Sequence, residues 1–274
     1  MSSRVRIRGS VAVITGAGSG IGRATALRAA RAGAAGVACV DIDADTAATV
    51  AGECEAEGAT AASYACDVAD AAAVESLAGT VEDELGPVDV LVNNAGVGIG
   101  GPFLEGTTED WDWLMGVNLH GVAYGCRAFG ARMVERRRGQ IVNIASGAAY
   151  VMSRDLAAYC ASKAAVLALS RCLRAEWGGA GVGVSAICPG VINTPIASRS
   201  RIYGPLAGRQ ERITRAFRFG HSPDLVARAI LKAVERNEAV VPVGLESELA
   251  YRLLPLVPGP VQGLLARAQV GRVL

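Results

Sequence analysis

Tyr159 and Lys163 stand four residues apart in a segment of helical period, so both side chains leave one face of a helix a single turn from each other. That spacing suits a coupled acid–base pair. A free phenol has a pKa of ~10, and roughly 4 kcal/mol of differential interaction with an ammonium and one further cation brings it to neutral pH, where it acts as a general base. Lysine is otherwise scarce: Lys163 and Lys232 are the two present, against 25 arginines. A bias that replaces lysine by arginine almost everywhere has spared position 163. There a compact ammonium does what a planar guanidinium does not.

A second constellation lies near the start. Thr15-Gly16-Ala17-Gly18-Ser19-Gly20-Ile21-Gly22 joins an apolar run to a helical one, the geometry that holds a pyrophosphate on helix N-terminal amides. The pattern GxGxxG fails, because Ile21 takes the third glycine position counted from Gly16; GxxxGxG at Gly16, Gly20 and Gly22 fits. The next strand ends at Asp41, 19 residues beyond Gly22, where a carboxylate accepts from both hydroxyls of an adenosine ribose and repels a 2′-phosphate. Ile42 and Asp43 follow it rather than arginine, and Ser19 stands where a basic residue would otherwise neutralise that phosphate. The spacing therefore predicts NAD rather than NADP as cofactor.

The elements that must position these residues alternate from end to end. Short apolar runs at 11–15, 36–41, 61–66, 88–92, 140–145, 182–188 and 239–243 read as strands buried on both faces. Helical periods near 21–32, 44–57, 70–85, 108–136, 156–177 and 223–236 separate them, the last opened by the cap Ser222-Pro223-Asp224. The expected fold is α/β, a Rossmann-type doubly wound parallel sheet of about seven strands with helices on both faces. Ligands then belong at the carboxyl ends of the strands. Residues 1–244 form one dinucleotide-binding and catalytic domain, with an arginine-rich lid at 195–220 and a C-terminal extension at 245–274.

In this order and register the motifs closely resemble the short-chain dehydrogenases/reductases of compact, single-domain type, over about residues 9 to 244. TGAGSGIG is similar to that family's cofactor turn, Asp67-Val68 to its adenine-holding pair, and Asn93-Asn94-Ala95-Gly96 to its NNAG segment. Ser146, 13 residues before Tyr159, takes the place of the catalytic serine, and Asn118 that of the fourth catalytic residue. Pro189-Gly190-Val191-Ile192-Asn193-Thr194 resembles the segment whose threonine contacts the nicotinamide carboxamide. The resemblance implies that Ser146 orients the substrate oxygen, Tyr159 exchanges its proton and Lys163 holds the nicotinamide ribose. It further implies that Asn118 binds a water linking Lys163 to solvent, with hydride passing on the pro-S face. The cofactor-binding set expected is Gly16, Ser19, Gly20, Ile21, Gly22, Asp41, Ile42, Asp67, Val68, Asn94, Ala95, Gly96, Tyr159, Lys163, Pro189, Ile192 and Thr194. Relatives pack their two long helices across a dimer axis, so Leu114, Val117, Val122, Phe129, Val166, Leu169 and Leu173 point to a homodimer or homotetramer. The alternative is helices buried within one subunit.

Composition narrows the partners. A length of 274 residues that is 51% apolar fits one domain, and a net charge of +1 gives no field to attract nucleic acid or an anionic membrane. No run approaches a spanning helix. Two histidines, His120 and His221, exclude a His-rich metal site, and no metal is expected. Seven cysteines without a CxxC read as reduced thiols packed as small hydrophobes, and the segment after the arginine-bearing first nine residues is too polar for a signal-peptide core. A cytoplasmic location is expected. The reading is an NAD-dependent secondary-alcohol dehydrogenase or ketone reductase acting on a fairly apolar small molecule. Its rivals are a 3-oxoacyl thioester reductase, favoured by the arginine-rich lid and opposed by Asp41, and a catalytically silent NAD-binding scaffold, opposed by the intact Asn118, Ser146, Tyr159 and Lys163. Substrate identity rests on 97–103, 147–155 and 196–220. The leucines of the extension cover a pocket, dock on a subunit or rest on a membrane surface.

Overall fold

A computed structural model describes residues 5–267. Its main sheet is parallel throughout, formed by β1 (Val11–Thr15), β2 (Gly36–Asp41), β3 (Thr60–Ala65), β4 (Val90–Asn93), β6 (Gly139–Ile144), β7 (Val182–Pro189) and β9 (Val240–Val243), in the order β3-β2-β1-β4-β6-β7-β9. A pair of two-residue strands, β5 (Ile99–Gly100) and β8 (Arg201–Ile202), forms a separate ribbon. Strand order reverses between β1 and β4, the topological switch point.

Alternation along each central strand feeds two cores. Ala12 and Ile14 of β1 face α1 (Gly20–Arg31), α2 (Ala44–Ala56) and α9 (Pro223–Arg236). Val11 and Val13 face α3 (Ala71–Leu85), α5 (Gly121–Glu135) and α6 (Ala157–Trp177). The remaining helices are α4 (Thr108–Met115), α7 (Ile196–Arg199), α8 (Gln210–Phe217), α10 (Leu245–Leu253) and α11 (Gly259–Ala266). The Ser222 hydroxyl accepts from the Asp224 amide with Pro223 at the first helical position, as expected.

The structure departs from the sequence reading at four places. β3 is an edge strand with three of its six residues exposed and none fully buried, because its alanines and Ser63 pack on one neighbour only. The 108–136 helix is continuous but locally widened: a π-turn over Gly116–His120 links α4 to α5. Of the apolar positions assigned to a subunit contact, Leu114, Val122, Phe129 and Val166 are at most 3% exposed within the single chain. They fill its own core, leaving Val117, Leu169 and Leu173 half-buried. Six of the seven cysteines are buried and free, as expected, whereas Cys172 is exposed.

The extension begins as part of the fold. Ser247, 2% exposed, donates to the Cys188 carbonyl at the end of β7 and shares a hydrogen bond with the Tyr150 hydroxyl. Beyond it Leu249, Leu253, Leu256, Leu264 and Leu265 are all exposed, so they close no pocket within this chain; positions 268–274 of the expected extension lie outside the described residues. Among the described residues no helix is long and apolar enough to cross a membrane. A chain ended after Gly244 is expected to lose about 2–4 kcal/mol in urea unfolding, from the several bonds of the first α10 turn. One ended after Pro258 should stay within about 1 kcal/mol of the full chain. Equal stability of the two truncations would show that Ser247 and its neighbours hold nothing.

Candidate active site

The glycine turn is shaped by what a Cβ would strike. Gly16 (φ 64°) lies where a Cβ would be 2.9 Å from the Ala95 Cα, and Gly20 is likewise left-handed (φ 54°). A Cβ on Gly22 would overlap the Gly16 carbonyl oxygen. Gly18, which the GxxxGxG pattern leaves free, is equally constrained: a Cβ there would collide with the Thr46 hydroxyl and come within 2.9 Å of an Asp41 carboxylate oxygen. The Gly18 amide donates to Asp41 Oδ2 at 2.8 Å and the Asp43 amide to Oδ1 at 3.2 Å. Asp41 therefore sits beside the turn as well as at the strand end. Ser19 caps α1 without a side-chain bond, and no acid occupies its first turn. Those amides are left for an anion, so the residues present fit a dinucleotide pyrophosphate.

Ile42 is 71% exposed next to Asp41, Asp67 is exposed with its Oδ1 taken by the Ala69 amide, and Val68 is buried under α5. Ser19 itself is not basic, yet a basic group does reach it: Arg199 at the end of α7 brings Nη1 to 3.5 Å from its hydroxyl. Of the other lid arginines, Arg201 is paired with Asp110 at 2.6 Å and lies over the Trp113 ring, Arg215 and Arg218 line one open pocket with Gln210 and Glu211, and Arg209 and Arg212 are exposed.

Across the switch point Asn94 and Ala95 both donate their amides to the Thr15 hydroxyl at 3.0 Å, and Asn94 Nδ2 donates to the Thr15 carbonyl at 2.8 Å. Gly96 follows, where a Cβ would lie 3.3 Å from Asn118 Oδ1 and 3.5 Å from Lys163 Nζ. The π-turn delivers Asn118 to that point. Its Oδ1 accepts from the Val97 amide at 2.8 Å, and its Nδ2 donates to the Val97 carbonyl and to the Ser162 hydroxyl. The side chain thus pins the segment after Asn94, with one Oδ1 lone pair over for the expected water.

Lys163, 4% exposed, donates to the Ile144 carbonyl at 3.0 Å and lies 5.8 Å from the Tyr159 ring centre. Burial pushes its pKa down to about 8. Burial also pushes Tyr159 up to about 12, against the opposing pull of the Ser146 hydroxyl. The sequence argument expected a lowered tyrosine. Within this chain alone desolvation outweighs the Ser146 bond, so Tyr159 holds its proton at neutral pH. Ser146 is half-buried and accepts from the Ala148 amide at 3.1 Å.

Pro189 ends β7, Ile192 is buried and Thr194 packs beside the glycine turn, its methyl 3.1 Å from where a Gly20 Cβ would stand. The three segments expected to govern substrate meet here: β5 pairs with β8, and the Gly101 amide donates to the Asp155 carbonyl at 2.8 Å. Between them is a pocket of about 260 Å³ lined by Phe103, Leu104, Trp111, Leu156 and Tyr203, adjoining the start of α6 but not lined by Ser146, Tyr159 or Lys163. Among the described residues no group of three or more His, Cys, Asp or Glu is placed to hold a metal ion.

Comparison with known proteins identifies the family and the fold. The family model for short chain dehydrogenase matches residues 10–202. A probable oxidoreductase EphD of Mycobacterium tuberculosis is 46% identical over 253 residues, covering 89% of this chain and 43% of that protein. The chain therefore spans less than half the length of that relative. D-threitol dehydrogenase of Mycolicibacterium smegmatis is 41% identical over 83% of this chain and 87% of its own. Among solved structures, a short chain dehydrogenase/reductase from Burkholderia phymatum in complex with NAD superimposes with a TM-score of 0.85 at 32% identity, covering 97% of this chain and 98% of that one. A metagenomic short-chain oxidoreductase in complex with NADP gives 0.71 at 32% identity, over 86% of this chain and 96% of that one.

The buried ammonium has a measurable cost. Below pH 8 the folded chain keeps Lys163 charged out of water, whereas the unfolded chain, with a pKa near 10.5, solvates it; the difference is about 3 kcal/mol. The cost fades as pH rises from 8 towards 10.5. Lys163→Met is therefore expected to be about 1–3 kcal/mol more stable than the parent at pH 7 in urea unfolding, net of the lost bond to Ile144. That advantage should shrink at pH 10. A variant no more stable than the parent at pH 7 would contradict the assigned desolvation.

Proposed function

The chain belongs to the short-chain dehydrogenase/reductase family, and we propose that within it this oxidoreductase is an NAD-dependent enzyme interconverting a secondary alcohol and a ketone on a fairly apolar small molecule. The observation that carries the reading is the buried Lys163 ammonium, 5.8 Å from the Tyr159 ring and bonded to the Ile144 carbonyl two residues before Ser146. The preference for NAD rests on Asp41, whose carboxylate faces the turn and meets a 2′-phosphate with like charge. The apolar pocket beside Phe103 and Trp111 supports the substrate class.

Bound NAD supplies the hydride acceptor in alcohol oxidation. Gly16, Ser19, Gly20, Ile21 and Gly22 cradle its phosphates, with Asp41 and Ile42 at the adenosine ribose and Asp67 and Val68 at the adenine. Asn94, Ala95, Gly96, Pro189, Ile192 and Thr194 line the rest. Ser146 donates to the substrate oxygen and fixes its distance from Tyr159. In ketone reduction Tyr159 gives its proton to that oxygen, a role suited to a phenol whose pKa stands near 12. In alcohol oxidation Tyr159 takes the proton, which requires positive charge beyond Lys163 alone to bring its pKa down. Lys163 donates to the nicotinamide ribose and stabilises the phenolate, and Asn118 holds the water beyond it. Assembly as a homodimer or homotetramer through the outer faces of α5 and α6, and a cytoplasmic location, belong to the same proposal.

Alcohols with NAD and ketones with NADH, followed by absorbance of the reduced nicotinamide, test the activity directly. Tyr159→Phe is expected to lose at least about 10³-fold in kcat while still binding NADH, because the proton path goes and the ribose contact stays. Retention of most activity would sink the mechanism. Asp41→Ala is expected to move the NAD-to-NADP ratio of kcat/KM by about 10- to 100-fold towards NADP. A parent enzyme that uses both cofactors equally, or a ratio unmoved by the substitution, would remove Asp41 from that role.

A further inference from the structure

The segment from Gly190 to Thr194 has few bonds of its own. It is held from outside, and the principal side chain doing so is Glu246, beyond the 10–202 span that the family model matches. Glu246 Oε1 accepts from the Val191 amide at 3.0 Å, and Oε2 meets His221 Nε2 at 3.0 Å. His221 in turn holds the same segment through its backbone: its amide donates to the Val191 carbonyl and its carbonyl accepts from the Asn193 amide, both at 2.9 Å, in a parallel bridge to Ile192. A second anchor is the Gly190 amide, which donates to the Val243 carbonyl at 2.8 Å.

Two glycines show that the fit is shaped around this carboxylate. A Cβ on Gly190 would collide with Glu246 Oε1, and one on Gly244 (φ 97°) would come within 2.9 Å of the same oxygen. The next residue, Ser247, ties the turn to the end of β7 through the Cys188 carbonyl at 2.7 Å. The first turn of α10 is thus fixed to the sheet on one side and to the 190–194 segment on the other. Thr194, at the far end of that segment, packs against Gly20.

We infer that Glu246 is a positioning residue for nicotinamide binding, setting the height of the 190–194 segment through Val191 and His221 so that Thr194 faces the carboxamide. The inference rests on the proposed placement of the nicotinamide at Thr194. It concerns one half of the cofactor only, since the adenosine half meets the glycine turn and Asp41, which Glu246 does not touch.

NADH and ADP-ribose, which shares the adenosine and pyrophosphate but lacks the nicotinamide, separate the halves in calorimetric titrations of the full chain. Glu246 is exposed, so its replacement leaves no cavity, and thermal unfolding checks that each variant folds. Glu246→Ala is expected to weaken NADH about tenfold and ADP-ribose by less than about twofold; Glu246→Gln, which keeps an acceptor for Val191, should recover most of the loss. Thr194→Val serves as the control for the nicotinamide placement and should also weaken NADH alone. Unchanged NADH affinity in Glu246→Ala, with Thr194→Val weakened, overturns the role of Glu246 and leaves the proposed function standing. Equal losses for NADH and ADP-ribose overturn it too, as a general effect on the fold. If Thr194→Val and Glu246→Ala both bind NADH as the parent does, the placement of the nicotinamide fails and the inference falls with it.

Discussion

One hydroxyl ties together the turns that follow β1 and β4. Thr15 Oγ1, at the last residue of β1, accepts the amides of both Asn94 and Ala95, and Asn94 returns its side-chain amide to the Thr15 and Gly16 carbonyls. These bonds cross the point where strand order reverses, where a parallel sheet leaves a gap between turns that diverge to opposite faces. Backbone groups there lack ladder partners and would otherwise be left to solvent. The knot brings Gly16 so close to Ala95 that a side chain at 16 has no room. The phosphate turn and the segment leading to Lys163 and Asn118 are therefore fixed relative to each other by a few short bonds rather than by the helices above them.

From that knot the chain runs through Gly96 to the buried ammonium. Lys163 has the Ile144 carbonyl as its hydrogen-bond partner and, among the described residues, no carboxylate paired with it, an arrangement that costs stability and is kept in a chain where arginine replaces lysine almost everywhere else. The same burial raises Tyr159, so the two groups are pushed in opposite directions: the base is made neutral and the cation weaker. Desolvation penalises whichever form carries charge, and only an added charge in the cleft reverses it for the phenol. Proton affinity of Tyr159 thereby depends on what occupies the site.

Much of this was legible in the residue pattern, for physical reasons that also explain the rest. Buried parallel strands are short and apolar, so β1, β2, β4, β6 and β7 stand out to within a residue or two. β3 reads the same way because alanine is compatible with an edge and a centre alike. The YxxxK spacing and the glycine turn carry chemistry in local sequence, and they were readable. Asn118 was found by resemblance, while the π-turn that aims it leaves no mark beyond its flanking glycines. Gly18, Arg199, His221 and Glu246 act through contacts 23 to 180 residues away, and no local window contains them.

Asp41 shows why such distant contacts matter to cofactor choice. Its Oδ2 accepts the Gly18 amide at 2.8 Å, so the carboxylate that would read the ribose also shapes the turn that would hold the phosphates. A neutral residue at 41 removes the like charge facing a 2′-phosphate and frees a turn amide at the same time. Arg199 arrives from the lid to 3.5 Å from Ser19, a residue of the same turn. The glycine turn thus has a carboxylate bonded to its Gly18 amide and a guanidinium beside its Ser19 hydroxyl. Two opposite charges held on neighbouring residues of one loop are coupled through it, so substitutions at 41 and 199 need not have additive effects.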